Sequence, residues 1–236
     1  MKTKKIPIIG LALTMLLAVQ AQAQTFTYAD NWINWPGYTN VTPDNIKNRD
    51  ENGTPAIDRM EVVIDGGYLD RISIILHEKG RQQFDSLFIS TSGKWDSWDY
   101  YVHDGGKDHK QFTKGKVADD GLYSVDKQDY RYTYVKKKNR IGNPNGIDKR
   151  SLSKEPLAAN FGATYDGFYE IRYDFTSLTD KISINEQEFF VAYAPWCDND
   201  IIGGGTAPVP EPATMLLFGT GLAGLATVSR KKMNRS

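Results

Sequence analysis

Several carboxylate side chains stand near glycines or in dense polar stretches, where they could bind a cation. Asp104 and Asp108 bracket a Gly-Gly-Lys turn, and Asp198 and Asp200 lie two residues apart near the end of the polar body. Calcium takes about six to eight oxygen ligands from flexible loops of this kind. None of these stretches has the ligand spacing of an EF-hand loop, and turn aspartates are commonly solvated. We therefore expect no obligatory cofactor, with calcium as the ion that these four aspartates could bind.

The densest group of aromatic residues carries acids between its rings. Trp95, Trp98 and Tyr101 lie within seven residues, with Asp96 and Asp99 interleaved. Flat rings beside carboxylates suit polysaccharides, because rings stack on sugar faces while acids accept hydrogen bonds from hydroxyl groups. The alternative is that the rings are core, since large aromatics fill β-sandwich interiors. Trp95, Trp98 and Tyr101 are thus the predicted ligand-binding residues, with the core alternative left open.

Residues that could perform catalysis are sparse. The histidines are His77, His103 and His109, and their spacing matches no metal-site motif. The sequence has no G-x-S-x-G elbow for a nucleophilic serine. A carboxylate pair for glycoside hydrolysis is defined by its spatial separation, so the sequence leaves that option open. We therefore expect a non-enzymatic protein, with a glycan-active hydrolase as the alternative.

The elements that must position these residues are short β-strands. A Gly-Gly turn between 60–65 and 69–77 predicts a hairpin. No segment of the body shows a sustained helical stripe. The other predicted strands are 86–91 with 98–103, 121–125 with 130–135, 168–175 in strict polar and apolar alternation, and 188–193. The pattern predicts an all-β fold, an antiparallel β-sandwich or jelly roll.

Composition also suggests the domain boundaries. We expect one β-sandwich domain at 24–202, which is long enough for a substantial core. Within it, the polar and turn-rich stretch 136–160 predicts a long surface loop. The Gly- and Pro-rich stretch 203–209 predicts a flexible linker.

The first 23 residues have the three parts of a secretory signal peptide. Three lysines precede an apolar stretch at 6–19, and Ala21 and Ala23 form a small-x-small cleavage site. Cleavage after Ala23 would leave Gln24 as the new N-terminus. An uncleaved N-terminal membrane anchor is the alternative.

The stretch 210–236 combines pieces of unlike composition. Pro210, Glu211 and Pro212 come first, and proline keeps this tripeptide extended. An uncharged apolar run at 213–229 follows. Its length of about 17 residues is the lower limit for a helix that crosses a hydrocarbon core. The composition predicts a single transmembrane helix.

A basic end completes this tail. Arg230, Lys231 and Lys232 follow the apolar run, and the positive-inside rule places such an end in the cytoplasm. The Pro-Glu-Pro tripeptide, the short span and the basic end resemble the PEP-CTERM sorting signal of exported Gram-negative bacterial proteins. The resemblance implies export through the Sec translocon, transient insertion into the inner membrane, and processing by a membrane-embedded exosortase.

Removal of both ends changes the charge of the chain. The whole sequence has 29 Lys+Arg and 29 Asp+Glu. Without the three lysines of the leader, and the four basic and one acidic residues of the tail, 22 basic and 28 acidic residues remain, a formal charge of −6. An acidic body argues against a nucleic-acid partner, which would need a basic surface. The one cysteine, Cys197, cannot form an internal disulfide.

The sequence therefore predicts an exported, exosortase-processed protein of the cell surface or extracellular matrix. We expect its body to be non-enzymatic and to bind exopolysaccharide. A secreted glycan-active hydrolase and a calcium-stabilised structural adhesin are the alternatives from other functional classes.

Overall fold

The structure is a computed structural model that describes most of the body of the chain. The described residues are 23–30, 32, 35, 57–77, 85–105, 113–126, 129–135, 144–167, 169–195 and 201–206. Ala21 and most of the expected signal peptide, and the expected transmembrane helix in the tail, lie outside them.

The regular structure of the described residues is almost entirely β-strand. A short 3-10 helix, Lys149–Ser151, is the exception, and the Asp148 carboxylate caps it by accepting a hydrogen bond from the Arg150 backbone N–H. All strand pairs are antiparallel, which confirms the predicted all-β class with antiparallel sheets. The strands are β1 (Gln24–Ala29), β2 (Ile57–Asp65), β3 (Tyr68–Leu76), β4 (Asp85–Ser90), β5 (Tyr100–Asp104), β6 (Thr113–Lys114), β7 (Gly121–Ser124), β8 (Tyr132–Val135), β9 (Pro144–Ile147), β10 (Ala158–Ala159), β11 (Thr164–Asp166), β12 (Glu170–Asp174), β13 (Phe189–Pro195) and β14 (Ile202–Thr206).

Two sheets pack face to face around the main core. Their strand orders are β1-β2-β3-β12-β11 and β10-β7-β5-β4-β13-β14. In β12, Ile171 and Tyr173 are fully buried in this core, while Arg172 on the other face pairs with Glu170 at 2.8 Å. Each fully buried aliphatic or aromatic side chain contributes roughly 1.5–3 kcal/mol of transfer free energy. The alternation that predicts a half-buried strand at 168–175 is therefore confirmed for β12.

The second face of the six-stranded sheet is covered as well. A three-stranded sheet of order β6-β8-β9 lies against it. At Gly146 the backbone of β9 lies so close to the six-stranded sheet that an added Cβ would overlap the Tyr101 hydroxyl. The Ser86 hydroxyl on β4 donates a hydrogen bond to the Asn145 carbonyl at 2.8 Å. The six-stranded sheet is therefore the middle layer of three.

Two predicted hairpin pairings are confirmed and one is wrong. Strands β2 and β3 pair across Gly66 and Gly67, which have φ values of 57° and 80°, and β4 pairs with β5. The expected pairing of 121–125 with 130–135 does not form, because β7 and β8 belong to different sheets. Both edges of β7 are already occupied, one by β5 and one by β10, which leaves no edge for β8.

The prediction of a flexible linker at 203–209 is wrong for residues 203–206, because these residues belong to β14. This strand pairs with β13 from Phe189↔Thr206 to Tyr193↔Ile202. The rings of Trp32 and Tyr28 occupy the positions where Cβ atoms on Gly203 and Gly204 would lie. Glycine here makes room for close packing, which composition alone does not distinguish from flexibility. Residues 207–209 lie outside the described part.

The expected surface loop at 136–160 is also wrong in part. Strand β9 is buried along its whole length and pairs with β8. Its Asn145 side chain is 1% exposed; it accepts a hydrogen bond from Thr133 Oγ1 at 3.0 Å and donates one to Thr113 Oγ1 at 2.9 Å. A polar sequence is compatible with burial when its polar atoms are hydrogen-bonded in this way.

Candidate ligand-binding site

A layer of aromatic rings lies on the face of the six-stranded sheet that also carries the three-stranded sheet. Its centre is buried, with Trp35, Phe88 and Trp98 all 0% exposed. Its rim is only half-buried, so parts of those rings reach the surface. The rim residues are Trp32, Trp95, Tyr130, Tyr132 and Phe190.

Trp95 connects the rim to the centre of the aromatic layer. Its ring meets three other tryptophans nearly edge-on, with centroid distances of 5.5 Å to Trp32, 5.3 Å to Trp35 and 5.9 Å to Trp98. Edge-to-face pairs of this kind add about 0.5–1.5 kcal/mol each beyond the area they bury. Trp95 is therefore held rigidly while part of its indole stays accessible.

Asp96 follows Trp95 directly and is exposed, with a left-handed φ of 60°. Its Oδ1 atom accepts hydrogen bonds from the hydroxyl groups of Tyr130, at 2.5 Å, and Tyr132. Trp98 Nε1 in turn donates to the Tyr132 hydroxyl at 2.8 Å. This chain of bonds orients the carboxylate before any ligand arrives.

The two tyrosines remain hydrogen-bond donors to Asp96 because they stay protonated. Burial raises the pKa of Tyr132 and of Tyr130 well above the usual value, and the hydrogen bonds to Asp96 add to both shifts. The phenols therefore keep the Asp96 carboxylate in place over the whole neutral and mildly alkaline range. A strained backbone at a fixed polar group is typical of functional sites.

The arrangement of Trp95 and Asp96 suits a sugar ring. An accessible indole offers a flat apolar surface for the C–H face of a pyranose, and a fixed carboxylate accepts hydrogen bonds from its hydroxyl groups. A separate surface cleft of about 260 Å³ is lined by Asp129, Arg131, Arg150 and Ser151, two of which flank Tyr130 in the chain.

The structure corrects the prediction for two of the three expected ligand-binding rings. Trp98 and Tyr101 are 0% and 1% exposed, so neither ring can stack on a ligand, and only Trp95 reaches the surface. Strand β5 begins at Tyr100, so Trp98 precedes the strand and shares the face of Tyr101 rather than that of Tyr100. Asp99 is likewise used internally, since its Oδ2 accepts hydrogen bonds from the Thr91 backbone N–H and hydroxyl at 2.7 Å and 2.9 Å.

Sequence reasoning missed Trp32, Tyr130 and Tyr132 as members of the site. Trp32 is far in the chain from Tyr130 and Tyr132, which share one segment, and the proximity of these rings depends on the packing of Tyr132 of β8 against Phe88 of β4. Asp96 was recognised only as an acid between aromatic residues. The one local signal is that aspartate adopts a left-handed backbone more readily than most residues.

A second polar group, built around His103, is buried under β9. The Tyr101 hydroxyl lies 2.8 Å from Ser86 Oγ and 3.1 Å from His103 Nδ1, and His103 Nε2 lies 4.0 Å from Asp120 Oδ1. Ser86 is 1% exposed and donates its hydrogen bond to a backbone carbonyl, which leaves it poorly placed as a nucleophile. This network docks the third sheet rather than forming a serine–histidine pair.

Asp104 is brought close to Asp120. Burial raises the pKa of Asp104, and the charge of Asp120 adds to the shift. Each carboxylate accepts a backbone N–H at 2.8 Å, Asp104 from Ala163 and Asp120 from Gly105. Among the described residues there is no group of three or more histidine, cysteine or acidic side chains that could hold a metal ion. The expected calcium ligands Asp108, Asp198 and Asp200, like His109 and Cys197, lie outside those residues.

Comparison with known families adds one result, which concerns the tail. A family model described as the PEP-CTERM protein-sorting motif matches residues 208–231. The chain carries a PEP-CTERM sorting motif. The match includes Pro210, Glu211 and Pro212 and extends to Lys231, so the resemblance seen in the sequence is confirmed. No curated protein and no solved structure matched the chain.

The PEP-CTERM motif indicates an exported protein that is sorted at a membrane and processed by an exosortase. In the part of the chain that the structure describes, no helix is long and apolar enough to cross a bilayer. The expected span at 213–229 and the basic residues after it lie beyond that part. Ala23 and Gln24 are described, and β1 begins at Gln24.

Proposed function

We propose that the processed body is a non-enzymatic component of the cell surface or extracellular matrix that binds exopolysaccharide through Trp95 and Asp96. The single observation that carries this proposal is the half-exposed Trp95 indole beside the Asp96 carboxylate, which two tyrosine hydroxyls hold in place. The sorting motif supplies the export route. Two packed antiparallel sheets support the classification of the body as a β-sandwich, jelly-roll-like scaffold.

A binding assay with a matched control tests the proposal. Processed protein recovered from the envelope or medium is applied to a panel of immobilised polysaccharides. Trp95→Ala should weaken retention at least about tenfold, which corresponds to the loss of roughly 1.4 kcal/mol from one stacked ring. Tyr165→Ala removes a ring that is 49% exposed on the edge strand β11 of the other sheet and should bind as wild type. Equal retention of all three proteins contradicts the proposal.

The hydrolase alternative is favoured by the placement of the buried Asp104 carboxyl near Asp120, where burial raises the pKa of Asp104. A glycoside hydrolase needs two carboxyl groups, one of them kept protonated. Release of reducing ends by wild-type protein, and its loss in Asp104→Asn, would establish that activity in place of simple binding.

The calcium-stabilised adhesin remains a proposal that rests on Asp104, Asp108, Asp198 and Asp200. A lower melting temperature with chelator than with calcium would support it.

A further inference from the structure

The two ends of the described body meet at one pole of the fold. Strand β1 starts at Gln24, and β14 ends at Thr206, which is paired with Phe189. The ring of Phe26 packs edge-on against Phe189, with centroids 5.0 Å apart, and Tyr28 packs on Gly204. Since residue 26 lies beside the end of β14 and residue 28 lies farther back along it, the two strands run in opposite directions. The first residue of β1 and the last of β14 are therefore neighbours.

The surface around these ends, here named the proximal pole, also carries an exposed tyrosine and a lysine. Tyr68 begins β3 and is 45% exposed, and Lys181 Nζ lies 5.7 Å from the centroid of its ring. Two hydrogen bonds connect this region to the end of β14. Ile184 N donates to the Gly67 carbonyl at 2.9 Å, and Thr206 Oγ1 donates to the Glu186 carbonyl at 2.8 Å.

The chain between β14 and the apolar run of the tail is short. Thr206 and Ala213 are seven residues apart in the sequence, a segment that spans at most about 25 Å when fully extended. The nine residues of β3 alone cover about 27 Å. At the far end of β3 the Leu76 N–H donates to the Tyr169 carbonyl at 2.8 Å, so Tyr169 marks the distal pole. When the tail is inserted in a bilayer, this segment is long enough for the proximal pole to lie against that bilayer. It is too short for the domain to turn over and bring the distal pole to the same surface.

We propose that, before processing, the proximal pole faces and contacts the phospholipid headgroups of the membrane that holds the tail, with Tyr68 and Lys181 as the contact residues. Tyrosine places its ring at the headgroup level, and lysine extends its ammonium group toward phosphates. Asp65 is exposed at the adjoining end of β2, so the surface is of mixed charge and the short tether sets its orientation. The exosortase consequently meets the sorting motif directly beneath a folded domain.

The experiment measures the distance of each pole from the lipid surface in the full chain. In a Cys197→Ser background, Tyr68→Cys and Tyr169→Cys place a fluorophore at positions where the native side chains are 45% and 47% exposed. The unprocessed proteins are reconstituted into phosphatidylethanolamine–phosphatidylglycerol vesicles that carry a headgroup-attached nitroxide quencher. We expect several-fold stronger quenching at position 68 than at position 169. Equal quenching at both positions, or none at either, overturns the proposal.

A second pair of positions protects the result against local misfolding. Lys181→Cys lies at the proximal pole and Asp166→Cys, 70% exposed, lies on β11 near the distal pole. Both side chains are exposed, so both variants should melt as wild type, and the same ratio of quenching is expected. The measurement does not involve Trp95 or Asp96. Failure of polysaccharide binding and failure of this orientation are therefore separate outcomes.

Discussion

The Tyr132 hydroxyl donates a hydrogen bond to Asp96 Oδ1 across 36 residues of sequence. This bond joins the third sheet to the turn before β5. Trp98 Nε1 donates a further hydrogen bond to the same tyrosine oxygen at 2.8 Å. One side of the proposed polysaccharide site is therefore built on a strand of one sheet and the other side on a turn of another. The site exists only when the two layers are docked.

The charge of Asp96 is expected to matter for binding more than for folding. Asparagine tolerates the left-handed φ of 60°, and its amide oxygen can still accept from Tyr130 and Tyr132. Asp96→Asn should therefore weaken polysaccharide retention about tenfold, as expected when a charged hydrogen bond worth about 1.5–3 kcal/mol is replaced by a neutral one. Its melting temperature should stay close to that of wild type. Asp96→Ala, which loses the acceptor and adds backbone strain, should lose both binding and stability.

Substitution of Gly204 tests the assignment of β14 as a packed strand. A Cβ at this position would overlap the Tyr28 ring, so Gly204→Ala should destabilise the fold by about 1–3 kcal/mol. Chemical denaturation of Gly204→Ala, Tyr28→Ala and the double variant measures the coupling. The alanine at position 204 should cost less once the ring is removed. A flexible linker would tolerate Gly204→Ala with no change in stability, and such a result would contradict the assignment.

The alternation of polar and apolar residues predicted the strands well where one face of a strand is exposed to solvent. In β12 the alternation of Ile171 and Tyr173 with Arg172 is visible in the sequence because only one face is buried. In β14 and β9 both faces are covered, and close approach selects glycine, as at Gly204 and Gly146, so the strands look like linker or loop. The site was harder to predict, because Trp32 and Tyr132 reach Trp95 and Asp96 only through contacts between layers.

Acidification should weaken the fold through Asp148. The Arg150 guanidinium donates to Oδ1 and Oδ2 at 2.9 Å and 2.7 Å and, as the largest cause, holds the pKa of Asp148 well below its usual range. The ionised Asp148 carboxylate therefore stabilises the folded state at pH values above its unfolded pKa of about 4, and this stabilisation is lost as the pH falls below that value. Asp148→Asn should be less stable at pH 7, by about 1.5–3 kcal/mol, and should lose less further stability on acidification.

Urea unfolding at pH 7, 5, 4 and 3 measures this effect. Burial raises the pKa of Asp104, so its protonation favours the folded state and partly offsets the loss from Asp148. The difference between wild type and Asp148→Asn is therefore the useful quantity, with Asp180→Asn as the exposed control. A constant difference at all four pH values would show that Asp148 does not titrate with folding.

Alkaline pH should weaken the fold through Tyr28, which packs on Gly204. Burial raises the pKa of Tyr28 to about 12, against about 10 for an unfolded chain. The folded state keeps the proton to higher pH than the unfolded state, so stability is unaffected below about pH 10 and falls as the pH rises from there toward 12. Tyr28→Phe removes this loss. At pH 8 the variant should be at least as stable as wild type, because the hydroxyl is buried without a hydrogen-bond partner among the described residues.

Urea midpoints at pH 8, 9, 10 and 11 distinguish this effect from the general alkaline loss. Other buried tyrosines, such as Tyr101, also have raised pKa values, so wild type and variant both weaken at high pH. The midpoint of Tyr28→Phe should fall less steeply above pH 10 than that of wild type or of Tyr169→Phe, whose ring is 47% exposed. Parallel curves for all three proteins would mean that Tyr28 is solvated, and β1 would then not be packed against β14 as the structure shows.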